Sequence, residues 1–130
     1  MAQRSHDWFR QAEADLRHAR NARDDGDYDW SAFASHQAAE KAIKAVFQNL
    51  NLDAWGHMLS NLLASLPAEA AAPLVLIEQA KELDKHYIPT RYPSGFERGA
   101  PTDFYTRNEA EMAIHNAETI VEFCRHKISR

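Results

Sequence analysis

Cys124 is the chain's single cysteine among 130 residues, so no internal disulfide can form and a paired redox site is excluded. Its place beside Phe123, late in an apolar-striped stretch, marks it as a small buried hydrophobe rather than a reactive thiol. Glycine and proline are scarce, at four and five residues. No glycine-rich phosphate loop exists and no serine stands in a nucleophile elbow, which argues against P-loop and acyl-transfer chemistry. Strand signals are nearly missing, because no segment alternates branched apolar with polar residues. Long apolar runs are missing too. The longest, over residues 70–77, contains Pro73, and none follows Met1. Neither a secretion signal nor a membrane span is expected, and a cytoplasmic location is. With a formal charge of only -4, bulk electrostatics do not predict a broad nucleic-acid groove.

What is present reads as helix. Apolar content of 45% and charged content of 26% are ordinary for a globular protein, and the length suits one domain over residues 1–130. Phe9, Ala12, Leu16 and Ala19 form a stripe at helical spacing from about Ser5 to Asp24, with Trp8 beside it. The run Asp24, Asp25, Gly26, Asp27 then breaks the pattern. A second helix is predicted from Tyr28 or Asp29 to about Leu50, capped by an Asp before it. Its apolar residues cover more than one face, as suits a helix at the centre of a bundle. A third is predicted over residues 57–66, ended by Pro67, with Leu59, Leu62 and Leu63 inward. A fourth, over 72–86, has Leu74, Ile77, Ala80, Leu83 and Tyr87 on one face. The last runs to about Ile128, with Thr106 and Glu109, or Asn108 and Glu111, as its capping box. Ala110, Ala113, Ile114, Ala117, Ile120, Val121 and Cys124 form its inner stripe. The fold class is all-α: an up-and-down helical bundle of about five helices with one long loop before the last.

That loop, Tyr87 to Arg107, concentrates what the rest of the chain lacks. It holds three of the five prolines, two of the four glycines, five aromatics and three arginines. Loops of such length in compact domains are functional or disordered, and aromatic side chains argue for order. Arg91 and Tyr92 lie between Pro89 and Pro93. Arginine offers a planar fork for phosphate and a neighbouring tyrosine can stack on a base. Alternatively Tyr87, Tyr92 and Phe96 plug the bundle while Arg91 pairs with a carboxylate. On helix two, His36, Glu40 and Lys44 share a face, with Gln37 and Lys41 one step round. This is either a solvated stripe of stabilising pairs or a face bordering the loop, where His36 and Lys41 meet an anion. His57 follows Gly56 and opens helix three, as a cap or as a donor to a ligand. Asp15, if interior, needs a partner such as Arg91 or a tyrosine hydroxyl. His36 and Glu40 have the spacing of two ligands on one helix, but no second pair accompanies them, so neither metal nor cofactor is expected.

Together, Trp8 with Ala12 and Asp15-Leu16, then HQAAEKAIKA, Gly56-His57 before Leu62-Leu63, Leu83-Asp84 with YIPTRYP, and Tyr105-Thr106 before Ala110 resemble a prokaryotic HEPN domain of the type associated with MNT nucleotidyltransferases. The match spans nearly the whole chain in order. The resemblance implies a helical bundle that forms homodimers, frequent pairing with a small MNT-type nucleotidyltransferase in two-gene toxin–antitoxin-like systems, and either nucleotide binding or metal-independent RNA cleavage. Cleavage in the family uses an arginine and a histidine four to six residues apart near the last helix. Here the nearest candidates, Arg107 and His115, have seven residues between them, which on a helix sets them about 80° apart. The expectation is therefore a non-catalytic nucleotide-binding module partnering a nucleotidyltransferase, with His36, Lys41, His57, Tyr87, Arg91 and Tyr92 at the site. The alternatives are an endoribonuclease toxin using Arg107 and His115, and a structural homodimeric interaction domain.

Overall fold

A computed structural model describes residues 4–128. Among them six α-helices follow one another: α1 (Ser5–Asp24), α2 (Tyr28–Asn49), α3 (Leu59–Ala64), α4 (Leu74–Asp84), α5 (Pro101–Phe104) and α6 (Arg107–Ile128). Two 3₁₀ turns, Ala68–Ala70 and Pro93–Gly95, lie in the connections. The described residues contain no strand, and the architecture is a helical bundle.

α1 ends because Gly26 takes φ +85°, a left-handed conformation that costs glycine little. The amide of Asp27 donates to the carbonyl of Ala22 at 2.8 Å, closing the helix end in the Schellman manner. Asp27 precedes α2 as expected but makes no side-chain capping bond. The α2 start is held instead from α1, where Ser31 Oγ donates to the Ala19 carbonyl at 2.7 Å in the interior.

α2 is the central helix, touching every other helix of the bundle. Ala32, Ala38, Ala39, Ala42 and Ala45 are fully buried along it, and their small volume lets α1 and α6 approach from two sides. Ile43 and Val46 share one buried apolar cluster with Leu59, Leu63, Leu83 and Ile120. The predicted stripes of α1 and α6 are all buried. Ion pairs clamp α1 to α6 at the rim, Arg20 with Glu118 at 2.7 Å and Arg125 with Glu13 at 2.6 Å.

Four local expectations differ from the structure. α3 begins at Leu59, so His57 lies in the preceding bend rather than opening the helix. Its first turn is capped from a distance, by the Asp84 carboxylate accepting from the Leu59 and Ser60 amides at 2.6 and 3.2 Å. α4 buries Leu76, Ala80 and Leu83, whereas Leu74 is 71% exposed; the run Leu-Val-Leu-Ile offers several registers, and packing selects the one that carries Leu83 inward. The long connection holds a short helix of its own, α5. Pro101 opens α5 and Asp103 accepts from the Ala100 amide at 2.9 Å. Gly99 before it has φ +82°, and a Cβ there would lie 2.8 Å from the Phe104 ring. Phe96 stacks on Phe104 at 4.8 Å instead of plugging the bundle.

The candidate site around Tyr87

Helix α2 sets out Phe33, His36, Gln37, Glu40 and Lys44 along one side. The bend before α3 and the turn after α4 fold down onto it. Tyr87 occupies the meeting point. Its ring stacks on His57 at 4.9 Å and lies 5.0 Å from His36 and 6.2 Å from Phe33.

His36 is fully buried. Its Nε2 faces the His57 carbonyl at 3.0 Å and its Nδ1 faces the Gln37 amide nitrogen at 3.2 Å. A carbonyl only accepts, so Nε2 carries the proton, and the amide then donates to a bare Nδ1. That arrangement is neutral. Burial pushes the imidazole below its ordinary value against the opposing pull of Glu40. His36 thus pins the bend at residue 57 and cannot itself meet an anion, contrary to its expected role.

His57 Nδ1 donates to both oxygens of Glu40, at 3.1 and 3.0 Å. Glu40 also accepts from Lys44 at 3.1 Å. The i, i+4 stripe is therefore a buried carboxylate with two donors, not a row of solvated pairs. No other hydrogen bond of the His57 ring is present among the described residues, which leaves Nε2 to a ligand. An imidazole oriented by a carboxylate on one nitrogen can donate or accept at the other.

Arg91 lies over three rings, 4.4 Å from the Phe33 centroid, 4.6 Å from Tyr87 and 5.1 Å from Tyr92. Its Nε donates to the Tyr87 carbonyl at 3.0 Å. No carboxylate pairs with it among the described residues, so its two terminal nitrogens are available as a fork. The half-exposed Tyr92 lies beside them. The alternative expectation, Arg91 neutralised by an acid, does not hold.

Five of the six expected binding residues thus gather around Tyr87: His36, His57, Tyr87, Arg91 and Tyr92. Lys41 does not join them. It pairs with Asp15, which also accepts from Gln11 at 3.0 Å, and it faces the groove between α1 and α2. Asp15 accordingly finds its partners on α2 and α1, not in Arg91 or a tyrosine. Phe33, Glu40 and Asp84 were not expected at the site. A signal for Glu40 existed in its spacing from His36 and Lys44; Phe33 looked like any core aromatic, and Asp84 acts from a distant part of the chain.

Arg107 is the first residue of α6, inside the helix, behind a reciprocal cap of Thr106 and Glu109 with bonds of 3.0 and 3.1 Å. Its Nε donates to Glu111 at 3.2 Å, and Tyr28 bonds to it as well. His115 is exposed two turns further on, about 12 Å along the axis. The structure does not bring the two together.

A family model for the HEPN domain matches residues 5–127. A Methanocaldococcus jannaschii protein whose name describes it as a candidate toxin is 28% identical over 124 residues, covering 88% of this chain and 82% of its own. Among solved structures, a Thermus thermophilus protein superposes with a TM-score of 0.94 at 45% identity, covering 97% of this chain and 99% of that one. A structure described as an archaeal HEPN homologue has a TM-score of 0.81 at 38% identity, over 98% of this chain and 100% of its own. A HEPN domain protein of Thermotoga maritima has a TM-score of 0.79 at 38% identity, over 96% and 99% of the two chains.

Proposed function

This chain belongs to the HEPN domain family, and on that footing we propose that it is a non-catalytic nucleotide-binding module. It works as the partner of a small MNT-type nucleotidyltransferase in a bacterial toxin–antitoxin-like pair, as a homodimer in the cytoplasm. The observation that carries the reading is Arg91, a guanidinium laid on three aromatic rings with no carboxylate to neutralise it among the described residues. Such a fork recognises a phosphate through paired charge-assisted bonds. Tyr92 supplies a face for a base, and His57 Nε2 supplies one donor or acceptor for a sugar or phosphate oxygen. Glu40 and the buried His36 are positioning residues that hold His57 in place.

The non-catalytic part of the reading is supported by Arg107 and His115. An acid–base histidine and the cation that steadies phosphate charge must address one phosphate together, and these two stand two helical turns apart. The toxin-like name of the Methanocaldococcus relative supports the two-gene setting.

The test is a melting-temperature screen against nucleoside triphosphates and monophosphates. At a hundredfold excess over its dissociation constant a specific ligand stabilises by about 2.7 kcal/mol. The expected outcome is a selective shift for at least one purine nucleotide, diminished in Arg91→Ala. No shift with any common nucleotide would sink the reading.

A further inference from the structure

We infer that the groove between α1 and α2 is a docking site for an acidic helical segment of a partner protein, anchored by bulky apolar side chains at its two ends. The inference rests on the partner half of the function proposed above; it uses neither Arg91 nor Tyr92, though the channel borders their site at Phe33 and His57.

The two helices pack side by side and are joined by a short turn, so they run in opposite directions. On α1, Trp8, Gln11, Asp15 and His18 recur at helical spacing; on α2, Trp30, Phe33, Gln37, Lys41 and Lys44 do the same. Both rows face one channel, because three adjoining clefts share Lys41 and Trp8 between them. From Trp30 to Lys44 the channel follows α2 for about 21 Å.

Its composition is unusual for a solvated face. All three tryptophans of the chain line it. Trp30 is 50% exposed at one end and Trp55 is 85% exposed at the other. Tryptophan and arginine are the residues on which binding energy concentrates in protein interfaces, and exposed apolar patches mark such surfaces.

Charge selects the occupant. The charged residues lining the channel are Arg4, Arg10, Lys41 and Lys44 against Asp7 and Asp15, in a chain of net charge -4. Lys41 is paired with Asp15 and Lys44 with Glu40, so the unbalanced cation lies at Arg4 and Arg10. Asp7 is shared by Arg4 at 3.1 Å and Arg10 at 3.7 Å, so positive charge is in excess at that mouth. A second copy of this chain would set like charges against each other across a twofold axis. A single nucleic-acid strand stacks successive bases on successive rings, yet the middle of the channel has none: Gln11, Asp15, Gln37 and Lys41 lie there. A helix laid in the groove needs anchors only where the tryptophans are, with its carboxylates opposite Arg4 and Arg10.

The intact protein is titrated with a fluorescein-labelled helical peptide about 18 residues long, able to span about 27 Å, with leucine and phenylalanine at its ends and glutamates between. A twin with lysine for glutamate and a short oligouridylate are run in parallel. Peptide anisotropy and protein tryptophan emission are both read. Saturable binding of the acidic peptide with a blue shift of emission is expected, weakened at least tenfold by combined Trp55→Ala and Arg10→Glu. Both residues are exposed, and an unchanged melting temperature establishes that the variant folds. Silence of the acidic peptide, equal binding by the variant, or preference for oligouridylate overturns the inference. Tyr92→Ala, at a residue that lines none of the three clefts, leaves peptide binding unchanged, so a failed nucleotide screen and a failed groove are separate results. Co-purification of a full-length nucleotidyltransferase undiminished by the Trp55 and Arg10 substitutions would overturn the groove alone.

Discussion

At the residue scale, the chemistry of single groups follows from what surrounds them. Cys124 is fully buried in the α6 stripe, and loss of water pushes its thiol up from the ordinary range. The thiolate is the reactive form. In the native protein Cys124 is therefore expected to be silent to a disulfide reagent such as DTNB, and to react fully once urea unfolds the chain; rapid native-state labelling would contradict the packing described. His86 bonds through Nδ1 to the Tyr105 hydroxyl at 2.9 Å. Burial lowers the imidazole and pushes the phenol up to about 12, so both are neutral at pH 7. Arg91 is the opposite kind of residue. Its cation is held against aromatic faces, where cation–π attraction contributes roughly 0.5–2 kcal/mol per favourable ring contact. Arg91→Lys keeps the charge but loses the planar fork. It is expected to fold normally and still to lose most of the nucleotide-dependent melting shift that Arg91→Ala loses.

At the element scale, α3 depends on a residue it does not contain. Asp84, at the end of α4, receives two α3 amides and the Ser60 hydroxyl, the last at 2.7 Å. Removing a cap of this kind costs about 1–2 kcal/mol. Asp84→Ala should show that loss in urea unfolding, whereas Ala at Asp27, whose side chain makes no capping bond, should change little. The contrast shows how far the sequence could be read. Local signals carried α1, α2 and α6 closely: apolar spacing set their faces, Gly26 set a boundary, and the Thr106–Glu109 pair set another. They failed where the deciding partner lies far off in sequence. Nothing near His57 says that α3 starts two residues later, because its cap comes from residue 84. Nothing in the Leu-Val-Leu-Ile run says which leucine turns inward. At the site, aromatic and arginine content pointed to residues 87–92, yet the division of His36 from Lys41 required the actual rotation of α2. Neighbours one step round a helix turn out to serve different surfaces.

At the scale of the whole molecule, protonation couples to folding through two histidines, the buried His36 and the half-buried His86. Their native pKa values are lowered by burial from the ordinary 6.5. The unfolded chain therefore takes up protons as pH falls through 6.5, while the native rings take them up only at lower pH. Since stability rises with pH wherever the unfolded state binds more protons, their contribution is complete above that value and declines below it. Urea midpoints from pH 7.5 to 5 should fall, and a double His36→Gln, His86→Gln variant should show a shallower decline. A profile as steep in the variant would assign the effect to other groups. Asp84 has one more consequence at this scale. It joins the segment carrying His57 to the turn carrying Tyr87, while His36 ties the same bend to α2. The two walls of the site cannot open separately without breaking those bonds. In hydrogen exchange, the amides of Leu59 and Ser60 should follow the same opening free energy as the end of α4, and slow together when ligand binds. The candidate site would then breathe as one foldon, with its hinge outside the residues proposed to meet a nucleotide.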